Sequence, residues 1–94
     1  MDKTFRALAD PTRRRILEML RDGDLAAGEI AAAFPMAWAS VSHHLQVLKG
    51  ADLVLAERDG QFIRYSLNST TMQDLLQHVM DLAPARRRKG ERRA

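Results

Sequence analysis

Between Leu53 and Leu67 the helical spacing of apolar residues gives way to two short strand-like runs, whereas on either side apolar residues recur every three or four positions. That change of period confines β structure to one place. Leu53–Arg58 and Gln61–Leu67 read as two strands, and Asp59-Gly60 between them is a strong signal for a two-residue hairpin turn. With those two residues as the turn, Arg58 opposes Gln61, Ala56 opposes Ile63 and Val54 opposes Tyr65. Val54, Ala56, Ile63, Tyr65 and Leu67 then share one face, the expected inner surface.

Outside the hairpin, proline and glycine cut a helical pattern into short pieces. Phe5, Leu8 and Ala9 mark one face of a first helix that stops at Asp10-Pro11. Asp10 is placed to cap the next helix, with Pro11 in its first position, where no N–H is needed. Ile16, Leu17 and Leu20 form the stripe of that helix, Arg13, Arg14 and Arg15 lie mostly off it, and Asp22-Gly23-Asp24 ends it. Ile30, Ala31 and Phe34 mark a third helix over 27–34, stopped by Pro35. A fourth runs from about Trp38 to Lys49 on the stripe Val41, Leu45, Leu48, after a three-residue turn of helix-turn-helix length. Past the hairpin, Met72, Leu75, Leu76 and Val79 line a last helix from Ser69 or Thr70 to about Leu82, and Met80 and Leu82 widen its apolar surface. A helix this apolar on so small a domain requires something to cover it.

The order helix, helix, helix-turn-helix, hairpin, helix describes a mainly α fold with a β-hairpin wing, a winged helix-turn-helix (α-α-α-α-β-β-α). At 94 residues one core is expected, with residues 1–84 as the domain and 85–94 as a basic, disordered tail. The net charge of +3 hides an uneven split: the tail carries +5 and residues 1–84 carry −2. An argument for nucleic acid therefore rests on local charge placement. The absence of cysteine excludes disulfides, thiolate metal sites and thiol redox switches. No apolar run reaches the roughly 18 residues of a membrane span, Met1-Asp2-Lys3 does not read as a secretory leader, and the cytoplasm is the expected compartment.

Four stretches, ALADPTRRRIL at 7–17, AGEIA at 27–31, VSHHLQVLK at 41–49 and DGQFIRYSL at 59–67, resemble the ArsR-type winged-helix repressors in order and spacing. The likeness is greatest to the Cys-free, metal-independent autorepressor subgroup. It implies a homodimeric transcriptional repressor bound to double-stranded DNA at an inverted repeat. It also implies that the terminal helices form the dimer, here through Phe5, Leu8, Met72, Leu75, Leu76 and Val79, some of which must also serve the core. The chain departs from the family pattern at Ala26 and Ala37, where a Ser or Thr cap is common. Gly50-Ala51-Asp52 reverses the usual Glu-Ala-Gly order, placing Asp52 where a left-handed backbone is needed.

The residues themselves point the same way. With Val41, Leu45 and Leu48 inward, Ala39, Ser42, His43 and Gln46 project outward, and Lys49 is the only formal charge from Ala37 to Gly50. Ser, His and Gln can hydrogen-bond base edges, and Ala39 leaves room for a thymine methyl. Trp38 either meets the groove at the helix start or packs beside Met36; His44, nearer the stripe, reads as structural. Arg58, Gln61 and Arg64 of the hairpin are candidate contacts to phosphate or minor groove, opposed by Asp59 and Glu57 and by the reading of a purely structural hairpin. The tail arginines either add phosphate contacts or only solubilise.

Two other readings compete. Asp74, His78 and Asp81 share a face of the last helix, so a symmetric pair of chains could form an oxygen- and nitrogen-rich metal site, but a charged helix face explains the same spacing. A winged helix that binds only protein is the other. No Gly-rich phosphate loop, oriented nucleophile or paired carboxylates support an enzyme, and neither a metal nor a cofactor is expected. An inducing ligand or protein partner is left unidentified, and membrane insertion is not expected.

Overall fold

The computed structural model describes residues 1–85; all of the expected tail at 85–94 except its first residue lies outside the described residues. The elements are α1 (Asp2–Leu8), α2 (Pro11–Arg21), β1 (Leu25–Ala26), α3 (Ala27–Ala31), α4 (Trp38–Gly50), β2 (Val54–Asp59), β3 (Phe62–Leu67) and α5 (Ser69–Leu82). The architecture is mainly helical, with a small antiparallel hairpin as the wing.

The core is built from the stripes: Ile16, Leu17 and Leu20 of α2, Ile30 of α3, and Val41, Leu45 and Leu48 of α4 are all buried. Leu53, Val54 and Tyr65 close it from the sheet side, and Leu75 from α5. Fully burying such a side chain is worth about 1.5–3 kcal/mol, so these few residues supply most of the stabilisation. The start of α2 follows its sequence signal, with Asp10 Oδ2 accepting from the Arg13 backbone N–H at 3.1 Å and Pro11 in the first turn.

Several local expectations are corrected. In α1, Thr4 and Ala7 are buried, while Phe5 and Ala9 are exposed and Leu8 is only half-buried. The small residues let α1 approach α2 and α4 closely, which a phenylalanine on that side would prevent. Helix α3 ends at Ala31 rather than Phe34. Ala33 and Phe34 donate to Ile30 and Ala31, bonds to the third residue back that tighten the last turn before Pro35. A two-residue strand, β1, precedes α3 and pairs with β3, giving the sheet order β1-β3-β2. Helix α5 is capped by Asn68, whose Oδ1 accepts from the Thr71 N–H at 3.4 Å.

The hairpin turn is Gly60-Gln61, not Asp59-Gly60. Asp59 opposes Phe62, Arg58 opposes Ile63, Ala56 opposes Tyr65 and Val54 opposes Leu67. Gly60 has φ of 63°, and Gln61 does not share the positive φ. That combination suits a turn with glycine in its first central position; an Asp-Gly turn would force positive φ on Asp59 as well. The shift is two positions, so Val54, Ala56, Ile63, Tyr65 and Leu67 still share one face. Ile63, paired with Arg58 near the tip, is nevertheless exposed.

Asp52 carries φ of 59°, the only positive value at a non-glycine among the described residues. Asp52→Gly should therefore raise stability by up to about 1 kcal/mol in chemical denaturation. The hydrogen bond from the Arg13 backbone, its largest influence, holds the Asp10 carboxyl below its usual value against desolvation, with the charges of His44 and Arg13 acting in the same direction. Asp10→Ala should cost about 1 kcal/mol at pH 7. Because the folded-state value is lowered, that difference should be fully present above the unfolded Asp value of about 3.9 and should shrink as pH falls through the folded value. Urea unfolding of both chains across acid pH measures it.

Candidate nucleic-acid interface

Burial of Val41, Leu45 and Leu48 fixes which side of α4 meets solvent. Ala39, His43, Gln46 and Lys49 are exposed, Trp38 is 53% exposed, and Ser42 is half-buried. The six expected contacts on this helix thus lie on or beside its open face. Trp38 is not sealed against Met36, which itself packs on the core. Ser40, in the first turn and outside the expected set, is also exposed. A hydroxyl in the opening turn of such a helix is the signal that marks it.

Electrostatics favour an anion here without a strong charge. The face carries no carboxylate, Lys49 is its only formal charge, and the N-cap Ala37 supplies no side-chain acceptor to the first N–H groups. Those N–H groups and the helix dipole attract phosphate. At α3 the other alanine cap, Ala26, is half compensated, because Glu29 Oε1 accepts from its backbone N–H at 2.9 Å.

His44 is held apart from the open face. Its Nδ1 lies 3.2 Å from Arg13 Nη1 and 3.8 Å from Asp10 Oδ2, so it packs against the start of α2. His43, its tilted neighbour with ring centroids 6.0 Å apart, remains free to face outward.

The wing does not bring its three expected residues onto one surface. Arg58 pairs with Ile63, Gln61 is in the turn, and Arg64 lies on the opposite face, across from Glu57. Arg64 Nε donates to Asp59 Oδ2 at 3.3 Å, both side chains being well exposed. A surface ion pair of this kind is worth at most about 1 kcal/mol and leaves the other guanidinium nitrogens available.

The terminal helices meet where the Phe5 and His78 rings lie 5.6 Å apart at 52°. Of the six residues expected at a dimer interface, Leu75 is buried in its own subunit, and Leu8 and Met72 pack partly on the core. Phe5, Leu76 and Val79 are exposed, at 39%, 55% and 47%, and Met80 and Leu82 extend the open apolar surface. Asp81 Oδ1 accepts from Gln77 Nε2 at 2.7 Å, and within one chain no group of three or more metal-ligating side chains is found among the described residues.

Comparison with known proteins matches residues 10–55 to the family described as bacterial regulatory protein, arsR family. The chain is similar to the transcriptional repressor SdpR of Bacillus subtilis (strain 168), 47% identical over 81 residues that cover 86% of this chain and 90% of that one. A crystal structure of a possible transcriptional regulator for arsenical resistance superposes with TM-score 0.78 and 32% identity, over 85% of this chain and 83% of that one. The solution structure of a homodimeric winged helix-turn-helix DNA-binding domain from Mycobacterium bovis superposes with TM-score 0.69 and 34% identity, over 85% and 77%.

If His43 and Gln46 read bases, His43→Ala and Gln46→Ala should each lower affinity for a preferred duplex by about 1–3 kcal/mol and relax sequence choice at the contacted positions. Titration against matched and point-substituted duplexes measures both effects.

Proposed function

The chain belongs to the arsR family of bacterial regulatory proteins, and from that premise we propose that it is a homodimeric transcriptional repressor that binds an inverted repeat in double-stranded DNA. The observation that carries this reading is the exposed, acid-free face of α4, backed by a fully buried apolar stripe. Trp38, Ala39, Ser42, His43, Gln46 and Lys49 present the reading surface, with Ser40 beside them. Phosphate contacts supply most of the affinity and the base edges the selection. Arg58, Gln61 and Arg64 flank the site from the wing, as separate contacts on two faces of the hairpin rather than one patch.

One helix reads only a few base pairs, so two copies on half-sites about one turn apart are needed for a specific site. The open seam of Phe5, Leu76 and Val79 supports pairing through α1 and α5, as does the homodimeric state of the similar Mycobacterium bovis domain. Residues 1–84 act as the DNA-binding and dimerisation unit, with the basic tail beyond it. Occupying a promoter blocks polymerase without chemistry on any substrate, and the protein works in the cytoplasm. Among the described residues no helix is long and apolar enough to cross a membrane.

The test combines sedimentation with binding to a duplex that the chain selects from a random pool. The wild-type chain should sediment as a dimer and bind with a salt slope of about −0.9 per phosphate contacted. Leu76→Asp places a charge in the seam and should give a folded monomer with at least tenfold weaker binding. A wild-type monomer, or a chain that enriches no duplex, overturns the proposal, the latter in favour of a protein-binding winged helix.

A further inference from the structure

Three helices meet at one guanidinium. Arg13, in the first turn of α2, donates from Nε to the Ala7 carbonyl at 2.7 Å and from Nη2 to the Arg6 carbonyl at 2.9 Å. Both acceptors belong to the last turn of α1. The remaining arm, Nη1, lies 3.2 Å from Nδ1 of His44 on α4. Arginine has no acceptor, so this contact is a hydrogen bond in the neutral tautomer of His44 that carries its proton on Nε2. Asp10 completes the cluster by accepting from the Arg13 backbone N–H, with its carboxylate 3.8 Å from the same ring nitrogen.

Helix α1 packs on the core through small side chains and, in part, Leu8. It is seven residues long, its N-cap Met1 offers no side-chain bond, and only Thr4 and Ala7 are buried. The arginines of α2 serve as its C-terminal cap, for Arg14 Nη1 also donates to the Leu8 carbonyl at 2.7 Å. Charge-assisted bonds are roughly twice as strong as neutral ones, and the planar fork of Arg13 fixes direction as well as distance. A lysine ammonium at the same position would be a point charge that cannot span three separated acceptors in a fixed plane.

We infer that Arg13 and His44 form a positioning pair that sets the angle between α1 and α4, and thereby the separation of the two reading helices in the dimer. The inference rests on the reading of the chain as a dimeric DNA-binding repressor. Its logic is placement: α1 contributes Phe5 to the open seam, α4 carries the reading face, and His44 adjoins His43 on that helix. Half-site spacing is a geometric quantity set by the distance and twist between two recognition helices. Loosening the joint leaves each α4 able to read its own half-site but blurs the preference for one spacing.

The experiment uses Arg13→Lys and His44→Leu in the full chain. The probe is a duplex selected by the wild-type chain, with versions whose half-sites are one base pair closer or farther apart and a single half-site duplex as reference. The wild-type chain should discriminate at least tenfold against the altered spacings. Each variant should remain dimeric, keep its half-site affinity within about threefold, and lose at least threefold of the spacing discrimination. A residue that only stabilised the fold would lower all affinities together and leave the ratio unchanged. Should Arg13→Lys fail to fold, His44→Leu, which retains the guanidinium and its bonds to α1, carries the test alone. Variants that discriminate between spacings as the wild type does overturn the positioning role while leaving the DNA reading intact. A wild-type chain that selects no duplex overturns both.

Discussion

The arrangement depends on the burial of one stripe. Val41, Leu45 and Leu48 are almost wholly removed from solvent among the side chains of α2, α3 and the sheet. At about 100° per residue, that burial leaves no freedom in where Ala39, His43 and Gln46 point. Replacing one buried leucine by alanine costs about 2–5 kcal/mol, whereas rotating the helix by one position would expose all three apolar residues at once. The outward orientation of the proposed reading face is therefore a by-product of the core, since the opposite side must be inward.

A second constraint is what the single chain leaves uncovered. Helix α5 commits only Leu75 fully to its own subunit and leaves a broad apolar surface beside Phe5. Small domains have little core to spare, and an exposed apolar surface on a terminal helix marks a place for a partner, which the proposal assigns to a second copy. Dimerisation and reading then use opposite commitments of the same small fold. In the proposed dimer the terminal helices turn their open apolar surface to a partner, while α4 buries its own and offers polar groups. Arg13 lies between these two regions, bonded to both.

Periodicity made the helices, the hairpin and their order readable from residues alone, and the cap at Asp10 with Pro11 marked one boundary closely. The misses have specific physical causes. Both candidate turns contain Gly60, and a two-position shift keeps the same residues on the inner face, so alternation cannot choose between them; backbone φ does. Strand β1 is two residues long, too short to show any period. In α1 an apolar count favours Phe5, but close packing selects the small Thr4 and Ala7. Arg13 stands in a run of three arginines that looks like a solvated face, and its partners six, seven and thirty-one positions away have no local signature. At the wing, the expected and observed registers alike put Arg58 and Arg64 on opposite faces, because a two-position shift preserves the alternation.

The central claim is that two copies of α4 enter successive grooves on one side of a duplex, and hydroxyl-radical footprinting of the wild-type complex tests it most directly. The account predicts two equivalent protected tracts, related by a twofold axis and centred about one helical turn apart on the same side of the DNA. A single protected tract, or protection without twofold symmetry, would contradict it.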